Sequence, residues 1–200
     1  IIIRTFDVGG DKPIPFLPLP QEKNPFLGFR GIRIYEEFPG LIDTQLRAIL
    51  RAAALGPLKI MFPMVGTLDE IRVIKARLQR IREQLSAANV RHRPDVEVGM
   101  MVEVPSAALL VDHFSGHVDF FSVGTNDLLQ YLFAADRGNP AVSALNEPLH
   151  PAFLRLLRTA VAEAHAHDRW IGVCGEIAGS SRLLPLLVGL GFDELSMTST

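Results

Sequence analysis

Apolar positions along this chain alternate between two rhythms. Six short stretches rich in strand formers, residues 1–5, 58–63, 96–102, 118–123, 170–174 and 194–197, carry apolar side chains on successive positions, so both faces of a pleated strand would be buried. Residues 31–35 form a weaker seventh candidate. Helical spacing fills much of the intervening sequence. Thr67-Leu68-Asp69-Glu70 is a capping-box sequence, and behind it Leu68, Ile71, Ile74, Leu78, Ile81 and Leu85 recur on one face. Arg72, Lys75, Arg77, Arg80 and Arg82 take the opposite face, which a solvated outer helix explains better than a nucleic-acid surface. Further helices are predicted over 41–55, 105–114, 151–167 and 181–190, with Pro105 at a first helical position and Pro185 placed to distort the last. Residues 11–24, with four prolines, and 136–150 read as irregular loops. Two-faced strands alternating with helices predict an α/β fold with a parallel sheet, because a parallel crossover needs a helix to return the chain.

Polar residues gather where these strands end. The first strand carries Arg4, then Asp7 and a Gly9-Gly10-Asp11-Lys12 turn. The third ends in Glu103, the fourth in Asn126 and Asp127, and the fifth in Cys174-Gly175-Glu176. In a (β/α)8 barrel all of these would face the carboxyl-terminal mouth, where such barrels keep their chemistry. At most seven strands are visible, which predicts a truncated TIM barrel lacking at least the first strand–helix unit and the last helix. The expected organisation is a partial barrel domain over residues 1–200, open or completed by a partner.

Each candidate has a plain structural alternative. Asp127 opens an apolar helical run, so Asn126, Asp127 and Arg137 read either as a helix cap with a surface ion pair or as a site. Glu103 and Asp127 suit a hard divalent ion, since Mg²⁺ takes one or two carboxylates and completes its shell with water and substrate oxygens. Alternatively, each pairs with an arginine. Arg4, Arg30 and Arg137 are forks suited to phosphate or carboxylate, or solvated surface groups. Lys12 adds a point charge from a loop. Cys174 reads as an inert packed thiol, or, between Gly172 and Gly175, as an acid or nucleophile. The six histidines read as surface residues.

Composition narrows the field. A hydrophobic content of 48% in 200 residues fills a core, and a formal net charge of −2 leaves no footprint for nucleic acid or an acidic membrane surface. One cysteine excludes an intramolecular disulfide and fits a reducing cytosol. No apolar run approaches the roughly 18 residues of a membrane span. The chain begins inside a strand-like run without an initiator Met, so a longer parent protein is expected.

The segments IIIRTFDVGGDK, NPFLGFRGIRI, LRAILRAAALG, KIMFPM, MVEVPSAA, DFFSVGTNDLLQY, DRGN and GVCGEIAG together resemble the C-terminal phosphoenolpyruvate-binding domain of enzyme I of the bacterial phosphotransferase system, a phosphoenolpyruvate–protein phosphotransferase. The resemblance runs along essentially the whole chain. It implies that Arg4 and Arg137 hold the phosphate and carboxylate ends of phosphoenolpyruvate, with Arg30 supporting. It implies Mg²⁺ on Glu103 and Asp127, Asn126 at the phosphate, and Cys174 as proton donor to the enolate. The implied partners are a histidine on an N-terminal domain outside this chain, a histidine-containing phosphocarrier protein of the sugar phosphotransferase system, and a second copy in a homodimer. The implied location is cytoplasmic. The family's first active-site arginine lies upstream, so the fragment is expected to bind substrate without complete turnover. Phe29, Val104 and Leu129 depart from the family pattern at positions that bear on packing. Pyruvate phosphate dikinases and phosphoenolpyruvate synthases share the TND and CGE cores. A metal-dependent lyase or aldolase barrel is an alternative, as is a non-catalytic dimerisation module, against which the intact acids, arginines and cysteine argue.

Overall fold

The computed structural model describes residues 1–9, 12, 14–15 and 17–198. Gly10 and Asp11 of the expected glycine turn lie outside the described residues, as do Pro13 and Phe16 of the proline loop and the last two positions. The chain divides into two compact units, Ile1–Gly99 and Met100–Thr200.

In the first unit, β1 (Ile2–Arg4) pairs in parallel with β2 (Lys59–Phe62), placing Arg4 beside Met61. The crossover contains α1 (Pro39–Ala52) and is followed by α2 (Leu68–Ala87), which packs against it. Ile42, Leu46 and Leu50 of α1 and Ile71, Ile74 and Ile81 of α2 are buried at helical spacing, so the two apolar stripes supply much of this core. The predicted capping box is formed. The Thr67 hydroxyl accepts from Glu70 N at 3.4 Å, and Glu70 Oε2 accepts from Thr67 N at 2.8 Å and from Gly66 N at 2.8 Å. Thr67→Ala is expected to lower stability by about 1 kcal/mol, read as a lower urea midpoint at unchanged slope.

The seventh strand candidate is corrected. Gly31–Ile34 is a 3-10 helix, because Gly31 adopts φ +58°, a left-handed start that a strand does not tolerate. A Cβ on Gly31 would lie 2.7 Å from Met64 Cβ, so space also holds the position to glycine.

In the second unit, β4 (Phe120–Gly124), β5 (Trp170–Cys174) and β6 (Glu194–Ser196) pair in parallel in chain order. Every residue of β4 is buried, as is every residue of β3 (Val98–Val102), which spans the boundary between the units. The long crossover between β4 and β5 holds α5 (Thr125–Leu132), a loop with one 3-10 turn at Ser143–Leu145, and α6 (Pro151–Ala166). α6 packs on β5 through its apolar face, with Phe153 and Ala164 fully buried.

The helix expected over 105–114 is two helices, α3 (Pro105–Leu109) and α4 (Val111–Ser115), interrupted at Leu110 with φ −125° and ψ 31°. Pro185 does not distort its helix. α7 (Leu184–Leu190) begins one residue earlier, leaving Pro185 in the first turn, where the missing N–H has no partner to lose. Asp127 is likewise not a cap: α5 begins at Thr125 after an N-cap Gly124 that makes no side-chain cap bond. Parallel α/β architecture is thus observed within each unit. Among the described residues no helix is long and apolar enough to cross a membrane.

Candidate active site

The chemistry-bearing residues fall into one group in each unit. The first group surrounds Asp7, just past the end of β1. Asp7 Oδ2 accepts from Arg4 Nη1 at 3.2 Å, from Lys12 Nζ at 2.7 Å and from Arg30 Nη2 at 2.9 Å, and Oδ1 accepts from Arg30 Nε at 3.3 Å. The side chains of Asp7 and Arg30 are fully buried, while those of Arg4 and Lys12 are 37% and 40% exposed. Burial opposes the charge on Asp7, but the Arg30 fork and the Lys12 ammonium outweigh it and hold the carboxyl below its ordinary 3.8. Arg30 is therefore an internal strut, and Arg4 and Lys12 are half-open cations fixed to the same carboxylate.

Neighbouring bonds stiffen this group. The Tyr35 hydroxyl donates to Phe6 O at 2.7 Å and lies 2.7 Å from the Thr5 hydroxyl. Gly9 and Lys12 exchange backbone hydrogen bonds of 3.2 and 3.1 Å, which sets the reach of the lysine. Gly9 has φ +97°, and a Cβ there would lie 2.4 Å from Phe29 O, so the chain passes too close for any other residue.

The second group sits at the ends of β3, β4 and β5. Glu103 follows β3 and is 1% exposed. Its carboxylate lies over Gly124, where an added Cβ would stand 2.7 Å from Oε2. Asp127, 5% exposed, stands in the first turn of α5 and pairs through Oδ1 with Arg137 Nη1 at 3.2 Å. The Arg137 backbone N–H donates to Gln130 Oε1 at 2.9 Å, so α5 positions both ends of this arginine. Asn126 Oδ1 accepts from Glu176 N at 3.3 Å, and Thr125 Oγ1 donates to Cys174 O at 2.9 Å. The Cys174 thiol donates to Val123 O at 3.4 Å, a bond that requires the proton to be on sulfur. Gly175, at φ +104°, turns the chain directly after it, and a Cβ there would lie 2.4 Å from Thr125 Oγ1.

Of the predicted site residues of the second unit, Glu103, Asn126, Asp127 and Cys174 lie at or just past successive strand ends and Arg137 lies in the loop after α5, while those of the first unit meet on one carboxylate. Asp7 is the functional candidate that sequence reasoning noted at a strand end but gave no role; its signal was an acid three residues after Arg4. Gln130 and Thr125 gave no signal, since each acts through a backbone atom distant in sequence. Of the histidines, His165 places Nε2 2.9 Å from Asp193 Oδ2, away from both groups in sequence and exposed.

Two buried carboxylates, one just past β3 and one in the first turn of the helix after β4, are a fitting donor set for a hard cation with most of its shell supplied by water and substrate. Among the described residues no group of three or more His, Cys, Asp or Glu is placed to hold a metal.

The chain is 56% identical over 199 residues to the multiphosphoryl transfer protein of Escherichia coli O6:H1, covering 100% of this chain and 24% of that protein. It is 52% identical over 200 residues to the phosphoenolpyruvate-protein phosphotransferase of Priestia megaterium, covering 100% and 35%. It therefore spans about a quarter to a third of the length of these curated relatives. Among solved structures, Haloferax volcanii malate synthase superposes with a TM-score of 0.59 at 11% identity, covering 82% of this chain and 48% of that one. A citrate lyase from Burkholderia xenovorans LB400 superposes with a TM-score of 0.57 at 21% identity, covering 76% and 48%. These likenesses are of fold. A family model described as "PEP-utilising enzyme, PEP-binding domain" matches residues 1–200, and the chain belongs to that family.

Proposed function

We propose that this chain is the phosphoenolpyruvate-binding part of a phosphoenolpyruvate–protein phosphotransferase, built as part of a (β/α)8 barrel. The observation that carries the reading is the buried acid pair on successive strand ends, with Arg137 bound to one acid, in a chain 52% identical to a protein of that name.

Arg4 and Arg137 bind the phosphate and carboxylate ends of the substrate, Lys12 adds charge, Asn126 donates to the phosphate and Arg30 supports Arg4 from within. Glu103 and Asp127 would hold Mg²⁺, which would supply Lewis-acid charge neutralisation there. Phosphoryl transfer needs positioning and charge neutralisation more than covalent help, and fixed cations in a buried frame provide both. The Cys174 thiol gives its proton to the methylene carbon of the enolate, completing pyruvate and leaving a thiolate to be reprotonated. The phosphoryl acceptor is a histidine on an N-terminal domain of the same protein, followed by a histidine-containing phosphocarrier protein. The working form is a cytoplasmic homodimer.

Calorimetric titration of the full-length protein with phosphoenolpyruvate tests this reading. Binding is expected to need Mg²⁺ and to weaken at least about tenfold in Glu103→Gln, as loss of one of two charged ligands implies. Metal-independent binding that Glu103→Gln leaves intact would sink the proposal. Carbon–carbon bond cleavage without a histidine partner would favour a lyase instead.

A further inference from the structure

Three cations converge on one buried oxygen in the first unit, and the residue that gathers them has no part in the chemistry set out above. We infer that Asp7 is a positioning residue for substrate binding, which fixes the Arg4 guanidinium and the Lys12 ammonium before phosphoenolpyruvate arrives. The inference rests on the reading that these two cations hold the substrate's anionic groups.

Asp7 cannot meet the substrate itself. Its side chain is wholly buried, and a carboxylate against a phosphate is repulsive. Its anchoring is asymmetric. The buried Arg30 fork spans both oxygens, with Nη2 at 3.2 Å from Oδ1 and 2.9 Å from Oδ2, and Nε at 3.3 Å from Oδ1. Arg4 and Lys12 reach Oδ2, at 3.2 and 2.7 Å, from positions 37% and 40% exposed. A carboxylate clamped by a buried guanidinium is a fixed point, and the two half-exposed side chains take their positions from it.

The backbone supports the same arrangement. Gly31 N donates to Val8 O at 3.1 Å, tying the segment after Asp7 to the segment of Arg30. Gly9, which exchanges backbone hydrogen bonds with Lys12, lies close against Phe29 O, where an added Cβ would stand 2.4 Å away. Long cationic side chains lose much rotamer freedom when they bind a ligand, so ordering them beforehand raises affinity without adding a substrate contact.

The test measures phosphoenolpyruvate KM and kcat in the full-length protein for Asp7→Asn, Lys12→Met and the double variant. Asp7→Asn keeps the shape and removes the charge. It is expected to raise KM on the order of 10- to 100-fold with a much smaller change in kcat, the scale that follows when a clamp is displaced by about an ångström. In the Lys12→Met background the same substitution is expected to cost less, because one of its two clients is gone. A residue that served only stability would lower the thermal midpoint and the amount of active protein, and leave the KM of the folded fraction at the wild-type value. That result, or fully additive effects, overturns the inference. Should Asp7→Asn fail to fold, Asp7→Glu retains the charge and moves the oxygens by one methylene; a raised KM supports the inference and a wild-type KM overturns it. Arg4→Gln separates the two levels. If it leaves KM unchanged, the substrate reading of this group falls and the inference with it. If it raises KM while Asp7→Asn does not, only the role of Asp7 falls.

Discussion

Cys174→Ala in the full-length protein is expected to bind phosphoenolpyruvate as the wild type does and to form pyruvate on the order of 10²- to 10⁴-fold more slowly, the range typical for a lost general acid. The expectation follows from where the thiol sits. It ends β5 with its proton directed to Val123 O at 3.4 Å, beside the turn that Gly175 makes and the strand end that carries Asn126. Alanine removes one sulfur from a half-buried position and leaves the backbone pairing of β4 and β5 in place. Binding and proton transfer should therefore separate cleanly. Titration calorimetry reads the first and single-turnover pyruvate release reads the second. A wild-type rate of pyruvate release would remove Cys174 from the mechanism.

The second large effect is on stability. Arg30→Met is expected to destabilise the protein by about 3 kcal/mol, the low end of the cost of removing one partner from a buried pair, because Lys12 and Arg4 still reach Asp7. Equilibrium urea unfolding measures it, and a loss below about 1 kcal/mol would show that the buried fork contributes no more than a surface pair. The pH dependence carries the same signature. Burial raises the Asp7 pKa and the Arg30 and Lys12 contacts lower it by more, for a net value below 3.8 in the folded protein. A depressed carboxyl contributes stability that is fully present above its unfolded value of about 3.8 and is lost as pH falls through the folded value. The wild type should lose this contribution on acidification below pH 3.8, and Arg30→Met, lacking the principal cause of the depression, should lose less.

How much of this was legible in the sequence depended on the range of the interaction that decides each feature. α2 was readable to the residue at its start because a capping box is written in four consecutive positions. The β5 strand matched its predicted span for a similar reason: a short apolar run bounded by Arg169 and Gly175. The break at Leu110 was invisible, since the run from Ala107 to Val111 contains no glycine or proline to mark it. The sequence around Gly31 alternates like a strand, and only the left-handed φ of that glycine and the crowding from Met64 make it a 3-10 turn. The acids and arginines could be nominated from their places at strand ends. Their internal pairing could not, because Asp7 finds Arg30 across 23 residues and Arg137 finds Gln130 through a backbone N–H.

Trp170, the one tryptophan in the chain, lies face to face with Phe120, its neighbour in the β4–β5 ladder, at 4.4 Å between ring centroids and 3° between planes. Within this chain its ultraviolet emission is consequently an optical gauge of the ladder whose far ends are Gly124 and Cys174. Light absorbed there reports melting of the second unit, while the Asp7 group resides in the first. Comparing its unfolding trace with far-ultraviolet dichroism would reveal whether the two halves dissolve together or in sequence.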